Sequence, residues 1–172
     1  MVFRVCDASD VRIAQLHGEG ARSALPGLPA HVAVVYVVHA RADGTVVTPL
    51  PASSCRLPEW VLVDGLQGGS GQALDWQRLR GAGAAALNSV SSHGWLLAGG
   101  LGPGNVAAAI ATVLPTGVDV SSGVCGPDGL AKDEDKVQAF AGSAWAAFEA
   151  QEQEQQAQSG PLSQAQAMGT PQ

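Results

Sequence analysis

A lone carboxylate, Asp64, closes the apolar run Val61-Leu62-Val63 and is followed at once by Gly65 and then Gly68-Gly69-Ser70-Gly71. Such a stretch suits a buried parallel strand that delivers one charged group to its carboxyl end and continues into a mobile loop. In α/β folds that end of a strand is where chemistry usually sits. An aspartate ahead of a glycine turn also serves as a simple turn cap, and this stretch alone leaves both readings open. Two more strand-like runs end in comparable equipment: Gly99-Gly100 after Trp95–Ala98, and Ser121-Ser122-Gly123 after Gly117–Val120. Backbone N–H groups at such ends converge on an anion, and a phosphate is the usual guest. Tight turns demand glycine as well, so the glycines by themselves do not choose between turn and ligand.

Other chemistries lack their residues. Gly69-Ser70-Gly71 begins a dinucleotide fingerprint, but Leu74 stands where its last glycine belongs. No lysine follows a glycine loop as a P-loop requires, and GxSxG is absent. The three cysteines, Cys6, Cys55 and Cys125, form no CxxC pair, which suits a reducing compartment and excludes a complete disulfide framework. Cys125 draws notice because it lies in the loop beyond the serines. The four histidines show no HxxxH or HExxH spacing, so the sequence gives a metal site little support. His17 sits at a strand end, where it either touches substrate or makes a structural hydrogen bond. A net charge of −6 without a basic run argues against nucleic acid or an anionic membrane surface as partner. No run is long enough to span a bilayer, and the residues after Met1 read as neither a secretory signal nor a transit segment.

The elements that must position these groups alternate strand-like and Ala-rich helix-like runs, the pattern of βα units on a parallel sheet. Five strands are expected: Arg12–Leu16, Val32–Val38, Trp60–Val63, Trp95–Ala98 and Gly117–Val120. Pro26 and Pro29 limit any helix over 19–30, and Pro49, Pro51 and Pro58 make 45–59 irregular. Asp75 reads as a cap for a helix that Gly81 and Gly83 weaken. Pro103 suits the first turn of a helix running through Asn105–Leu114. From Lys132 onward, Val137, Phe140, Ala144, Trp145 and Phe148 recur at helical spacing and predict an amphipathic closing helix. The folded unit is placed at 1–150. Residues 151–172 form a Gln-rich tail, read as a helix extension fraying into disorder.

Four stretches in order, QLHGEG (15–20), VLVDGLQGGSGQALDW (61–76), WLLAGGLGPGNVAAAI (95–110) and GVDVSSGVCGPDGLAKDEDKV (117–137), resemble the phosphoribosylanthranilate isomerase family, most closely its plant and algal type. The resemblance runs from about Val5 to Trp145. It implies a (β/α)8 barrel that carries out an Amadori rearrangement in tryptophan biosynthesis, with no metal and no organic cofactor. N-(5-phosphoribosyl)anthranilate would become the carboxyphenylamino deoxyribulose phosphate. The family's general acid falls on Asp64, which would protonate the ribose ring oxygen and open the ring to a Schiff base. A cysteine base would then remove the C2 proton. The family's phosphate site falls on Gly99, Gly100, Ser121, Ser122 and Gly123, while His17 and Asp119 match positions near the site. Apolar neighbours Val61, Leu62 and Val63 would help keep such an acid protonated.

The same resemblance assigns these strands to the family's fourth to eighth. The cysteine base belongs to a Lys-Ile-Cys-Gly-like motif on the first strand, and an early arginine helps hold the anthranilate; neither has a counterpart here. Cys6 in MVFRVC imitates the base, but Asp7 replaces the glycine and Gln15 comes too soon for the intervening strands. The expectation is therefore a partial barrel with two open edges, prone to self-association or to pairing with an N-terminal half-barrel. The competing expectation is a catalytically inactive fragment that still binds phosphate. Plant-type relatives work in the plastid.

Overall fold

The computed structural model describes residues 10–52, 56–66 and 74–159. Five strands form one sheet: β1 (Ile13–Leu16), β2 (Ala33–Ala40), β3 (Trp60–Gly65), β4 (Trp95–Leu97) and β5 (Gly117–Val118). Spatial order follows chain order, and every neighbouring pair is parallel. The eight-residue β2 is β-branched or aromatic over most of its length, and such side chains fit a pleated surface buried on both sides. Among the described residues four α-helices accompany the sheet: α1 (Glu19–Arg22), α2 (Ala82–Ser89), α3 (Val106–Val113) and α4 (Glu134–Ser159). Short 3-10 turns cover Leu25–Gly27, Trp76–Leu79 and Ser122–Val124.

The period of two divides each strand between two faces. Val34, Tyr36, Val38, Val61, Val63, Trp95 and Leu97 pack with Leu79, Leu87, Val106, Ile110 and Phe140 in the core beneath the helices. Each such side chain contributes about 1.5–3 kcal/mol on burial. The opposite face is a smaller cluster, Val37 and Leu62 from the strands and Ala98 just past β4, with Val35 and Leu96 against them. This is the concave face of a sheet that does not close. On β1 it is open, with Ile13, Gln15 and His17 all exposed.

Several local expectations change. Asp75 does act as a cap, accepting from the Gln77 N–H at 3.1 Å, but what it caps is the 3-10 turn Trp76–Leu79. Gly81, at φ 63, separates that turn from α2, which starts only at Ala82. Pro103 lies in the turn ahead of α3 rather than inside its first turn, because Asn105 takes the cap position. The Asp133 carboxylate caps α4 by accepting from Lys136 N at 3.1 Å, and Glu134 and Asp135 suit the positive end of the helix. Only part of the expected apolar stripe of α4 is buried: Phe140 and Ala144 enter the core, whereas Val137 is 41% and Trp145 70% exposed. Beyond Ala150 the helix continues to Ser159, and 160–172 lie outside the described residues. No helix among the described residues is long and apolar enough to cross a membrane.

Candidate functional site

The carboxyl ends of β3, β4 and β5 bring Asp64, Gly99-Gly100 and Ser121-Ser122-Gly123 around one depression. Asp64 shares its face of β3 with Leu62, so of the three apolar neighbours only Leu62 lies on its side; Val61 and Val63 point into the helix-side core. One carboxylate oxygen of Asp64 accepts from the N–H of Gly65 at 2.7 Å. Gly99 then passes so close that a Cβ built on it falls 2.6 Å from Gly65 N and 3.1 Å from Asp64 Oδ1. Gly99 and Gly100 both hold positive φ, 84° and 67°, which ordinary side chains resist. The acid and the first glycine loop are thus fixed against each other by direct contact.

Asn105 holds the second half of that loop. Its side chain accepts from Gly102 N at 2.8 Å and donates to Gly100 O at 2.9 Å. Gly123 meets the loop from the β5 side, where a Cβ would collide with the carbonyl of Leu101. Lys132 and Lys136 brace the far side of the β5 loop, donating to Ser121 O at 2.8 Å and to Cys125 O at 2.7 Å. Cys125 does not open into the site. Its side chain is buried, with Sγ 3.5 Å from Ser121 O and 3.4 Å from Lys132 Nζ.

Two adjoining cavities result. One, of about 200 Å³, lies between Gly100, Leu101, Gly102, Gly104 and Asn105 on one side and Ser122 and Gly123 on the other. That is below the roughly 300–1,000 Å³ of sites for drug-sized ligands, and is suited to a phosphate. The other, of about 80 Å³, is bounded by Asp64, Gly99, Asp119 and Ser121 and shares Gly100, Leu101, Ser122 and Gly123 with the first. A ligand with a phosphate at one end and a reacting group a few bonds away matches this pair of spaces.

Asp119 faces the smaller cavity. Partial burial and the negative charge of Asp64 push its carboxyl above the usual carboxylate range, and Lys132 pulls it partly back. His17, at the end of β1, lies across the concave face. Its Nε2 is 3.3 Å from Nε2 of His39, a residue that sequence reasoning passed over. His39 stands beside Asp64 in the β2–β3 register. Burial and the neighbouring His17 push its imidazole below the usual histidine range, while Asp64 acts the other way and Arg22 adds to the lowering. The signal for His39 was present in the alternation Val35, Val37, His39, which continues the concave face past the apolar run.

The structure therefore gathers Asp64, Gly99, Gly100, Asp119, Ser121, Ser122 and Gly123 at one site and sets His17 apart, with His39, on the β1–β2 side. Cys6 and Gly68–Gly71 lie outside the described residues. Among the described residues, no group of three or more His, Cys, Asp or Glu side chains could hold a metal ion.

Residues 1–142 match the family described as N-(5'phosphoribosyl)anthranilate (PRA) isomerase. The chain is 43% identical over 140 residues to N-(5'-phosphoribosyl)anthranilate isomerase 1, chloroplastic, of Arabidopsis thaliana, a match covering 81% of this chain and 49% of that protein. Among solved structures, phosphoribosyl anthranilate isomerase from Thermotoga maritima superposes with a TM-score of 0.59 at 26% identity, over 83% of this chain and 66% of that one. A phosphoribosyl anthranilate isomerase solved in complex with reduced 1-(o-carboxyphenylamino)-1-deoxyribulose 5-phosphate superposes at 0.56 with 24% identity, over 83% and 64%. This chain thus spans about half the length of that curated plant relative and forms part of the barrel seen in those structures.

Proposed function

Because the chain belongs to the N-(5'-phosphoribosyl)anthranilate isomerase family, we propose that its five strands carry the acid and the phosphate-binding loops of that isomerase's site. The observation that carries this reading is the direct packing of Asp64 against the Gly99 loop, beside the cavity closed by Gly123. The phosphate of phosphoribosylanthranilate would lie between Gly100–Gly102 and Ser122–Gly123, held by backbone N–H groups. Its ribose would then extend toward the cavity of Asp64 and Asp119.

In the proposed reaction Asp64 gives its proton to the ribose ring oxygen as the C1–O bond breaks, and the anthranilate nitrogen's lone pair forms the Schiff base. A base takes the proton from C2, the C–H electrons form the enolamine, and tautomerisation gives the ketose product. Proton transfer by positioned groups typically contributes 10²–10⁴-fold. Asp119, which lines the same cavity, would bind a ribose hydroxyl. Neither step calls on a cofactor. The base is assigned to none of the described residues, since the buried Cys125 faces Ser121 O and Lys132.

A second reading has its own observation. Ile13 on edge strand β1 is 59% exposed and Trp145 on α4 is 70% exposed, so apolar surface remains uncovered on both elements. An N-terminal half-barrel, or a second copy of the chain, would cover such surface, and the chain by itself would bind phosphate without turnover. A plastid location is proposed from the chloroplastic relatives and is checked by organelle fractionation.

The test is fluorescence-monitored turnover of phosphoribosylanthranilate by this chain, alone and mixed with a separately made N-terminal half of a plant relative. The isomerase reading expects activity in the mixture and its loss in Asp64→Asn. Phosphate binding with no turnover in either sample would leave the fragment reading in its place.

A further inference from the structure

We propose that His39 is a positioning residue: with Thr48 it holds His17 as an Nδ1–H donor for the aromatic carboxylate at the end of the ligand remote from its phosphate. This role rests on the isomerase reading above.

The hydrogen bonds at the carboxyl ends of β1 and β2 run in one direction. Thr48 Oγ1 accepts from the His39 backbone N–H at 3.0 Å, and its own proton finds one acceptor among the described residues, Nδ1 of His39 at 3.4 Å. An imidazole that accepts at Nδ1 carries its hydrogen on Nε2. Nε2 of His39 lies 3.3 Å from Nε2 of His17, with the two rings perpendicular, at 89°, rather than stacked. Donation from His39 makes Nε2 of His17 the acceptor, and the hydrogen of that neutral ring then sits on Nδ1. His17 is exposed and its Nδ1 has no partner among the described residues, so the donor is free for a ligand. Burial, His17 and Arg22 lower the proton affinity of His39 against the pull of Asp64, which favours the neutral ring that this relay needs.

Strand order decides what the donor meets. The phosphate cavity lies between the loops after β4 and β5, Asp64 is on β3, His39 stands beside it on β2, and His17 follows β1. Strands lie about 4.8 Å apart, so the histidine pair is about 14 Å from the phosphate cavity, with the acid between them. A ligand laid with its phosphate in that cavity and its ribose at Asp64 sends its aromatic amine toward β2 and β1. Val37 and Leu62, paired in the ladder on the concave face, give the ring an apolar floor. Its carboxylate then reaches His17, where Arg22, donating to Val37 O at 3.3 Å, adds positive charge. Both histidine contacts are long for hydrogen bonds, so the effects of breaking them are a few-fold rather than orders of magnitude.

The experiment reads tautomer and binding together. Nitrogen-15 spectra of the full chain at about pH 8, above the ordinary histidine range, should show His17 protonated on Nδ1 and His39 on Nε2. Thr48→Val and His39→Ala should lose that preference at His17, and Thr48→Ser, which keeps the hydroxyl, should retain it. Binding of reduced 1-(o-carboxyphenylamino)-1-deoxyribulose 5-phosphate should weaken about two- to tenfold in Thr48→Val and His39→Ala, with inorganic phosphate bound as in the native chain. The same ligand without its ring carboxylate should bind all of these forms alike. Three results overturn the proposal: His17 protonated on Nε2 in the native chain, reduced ligand held as tightly by the variants, or equal sensitivity of the ligand without the carboxylate. Failure of the isomerase reading looks different. The native chain would then bind no reduced ligand, which overturns the carboxylate role, while the tautomers are still read in the free chain.

Discussion

Replacing Gly99 with alanine strikes the point where the acid strand and the first glycine loop touch. The backbone there has φ 84°, and a non-glycine residue in the left-handed region costs about 1–2 kcal/mol. The added methyl would also fall 2.6 Å from Gly65 N, a backbone atom in β3 that no rotamer change can move away. Forcing a methyl into a packed position costs about 1–3 kcal/mol more, so the expected loss is about 2–5 kcal/mol. Against a total of about 5–15 kcal/mol for a typical domain, that is a large share. Urea unfolding followed by tryptophan fluorescence reads it directly, since Trp95 is buried in the core on the strand that leads into this loop. Gly104→Ala is the matched control, because Gly104 lines the adjoining cavity but has nothing within 4 Å of its built Cβ and no positive φ. It should change stability by no more than about 0.5 kcal/mol. If Gly99→Ala unfolds at the same urea concentration as Gly104→Ala, the claimed contact between the β3 carboxylate and the β4 loop is wrong.

Other perturbations probe the remaining parts. Glu59 accepts from the Val34 N–H and pairs with Arg56 at 3.3 Å across the amino ends of β2 and β3; Glu59→Ala should cost about 1–3 kcal/mol, measured by thermal or urea unfolding. His39 has its proton affinity lowered by folding, so the unfolded chain binds more protons below about pH 6.5 and stability falls as pH drops through that region. In His39→Gln the midpoint-against-pH curve should be flatter there. Asp119 has the opposite sign. Its raised folded-state proton affinity means stability is lost as pH rises from the ordinary aspartate range, and Asp119→Asn should raise the melting midpoint at neutral pH. Trp145→Gln removes an exposed ring that donates to Glu149 Oε1 at 2.7 Å; unfolding should shift by about 0.5 kcal/mol or less, while light scattering should show weaker association.

The strands were legible because each is a short apolar run that ends in turn residues, and buried parallel strands are built that way. All five appear, in the expected order, with β2 and β3 each extending two residues past the apolar run. Those extensions carry the chemistry, since His39 and Asp64 sit on them. His39 is easily passed over because a polar residue after an apolar run resembles the start of a loop; the alternation with Val35 and Val37 hints at its place, and its pairing with Asp64 shows it is still in the ladder. Asn105 was likewise read as part of a helix, and its clasp on Gly100 and Gly102 is a three-dimensional fact with only a Gly-Pro-Gly-Asn spacing to announce it. Helical periodicity gave the apolar stripe of α4 but not its neighbours. Phe140 and Ala144 find the core, while Val137 and Trp145 meet solvent because no described element lies over them. Motif spacing placed Asp64, Gly99, Gly100 and Ser121–Gly123 at strand ends, and parallel order then had to bring them to one side of the sheet.

The central claim is that the two glycine loops and Asp64 form one site in this chain, with phosphate between the loops. Equilibrium binding of the reduced ligand 1-(o-carboxyphenylamino)-1-deoxyribulose 5-phosphate to the chain, to Gly123→Ala and to Asp64→Asn tests it most directly. The predicted result is binding that competes with inorganic phosphate, falls at least about tenfold in Gly123→Ala, where a methyl would strike Leu101 O, and changes little in Asp64→Asn. Binding indifferent to Gly123→Ala, or none to the native chain, would contradict it.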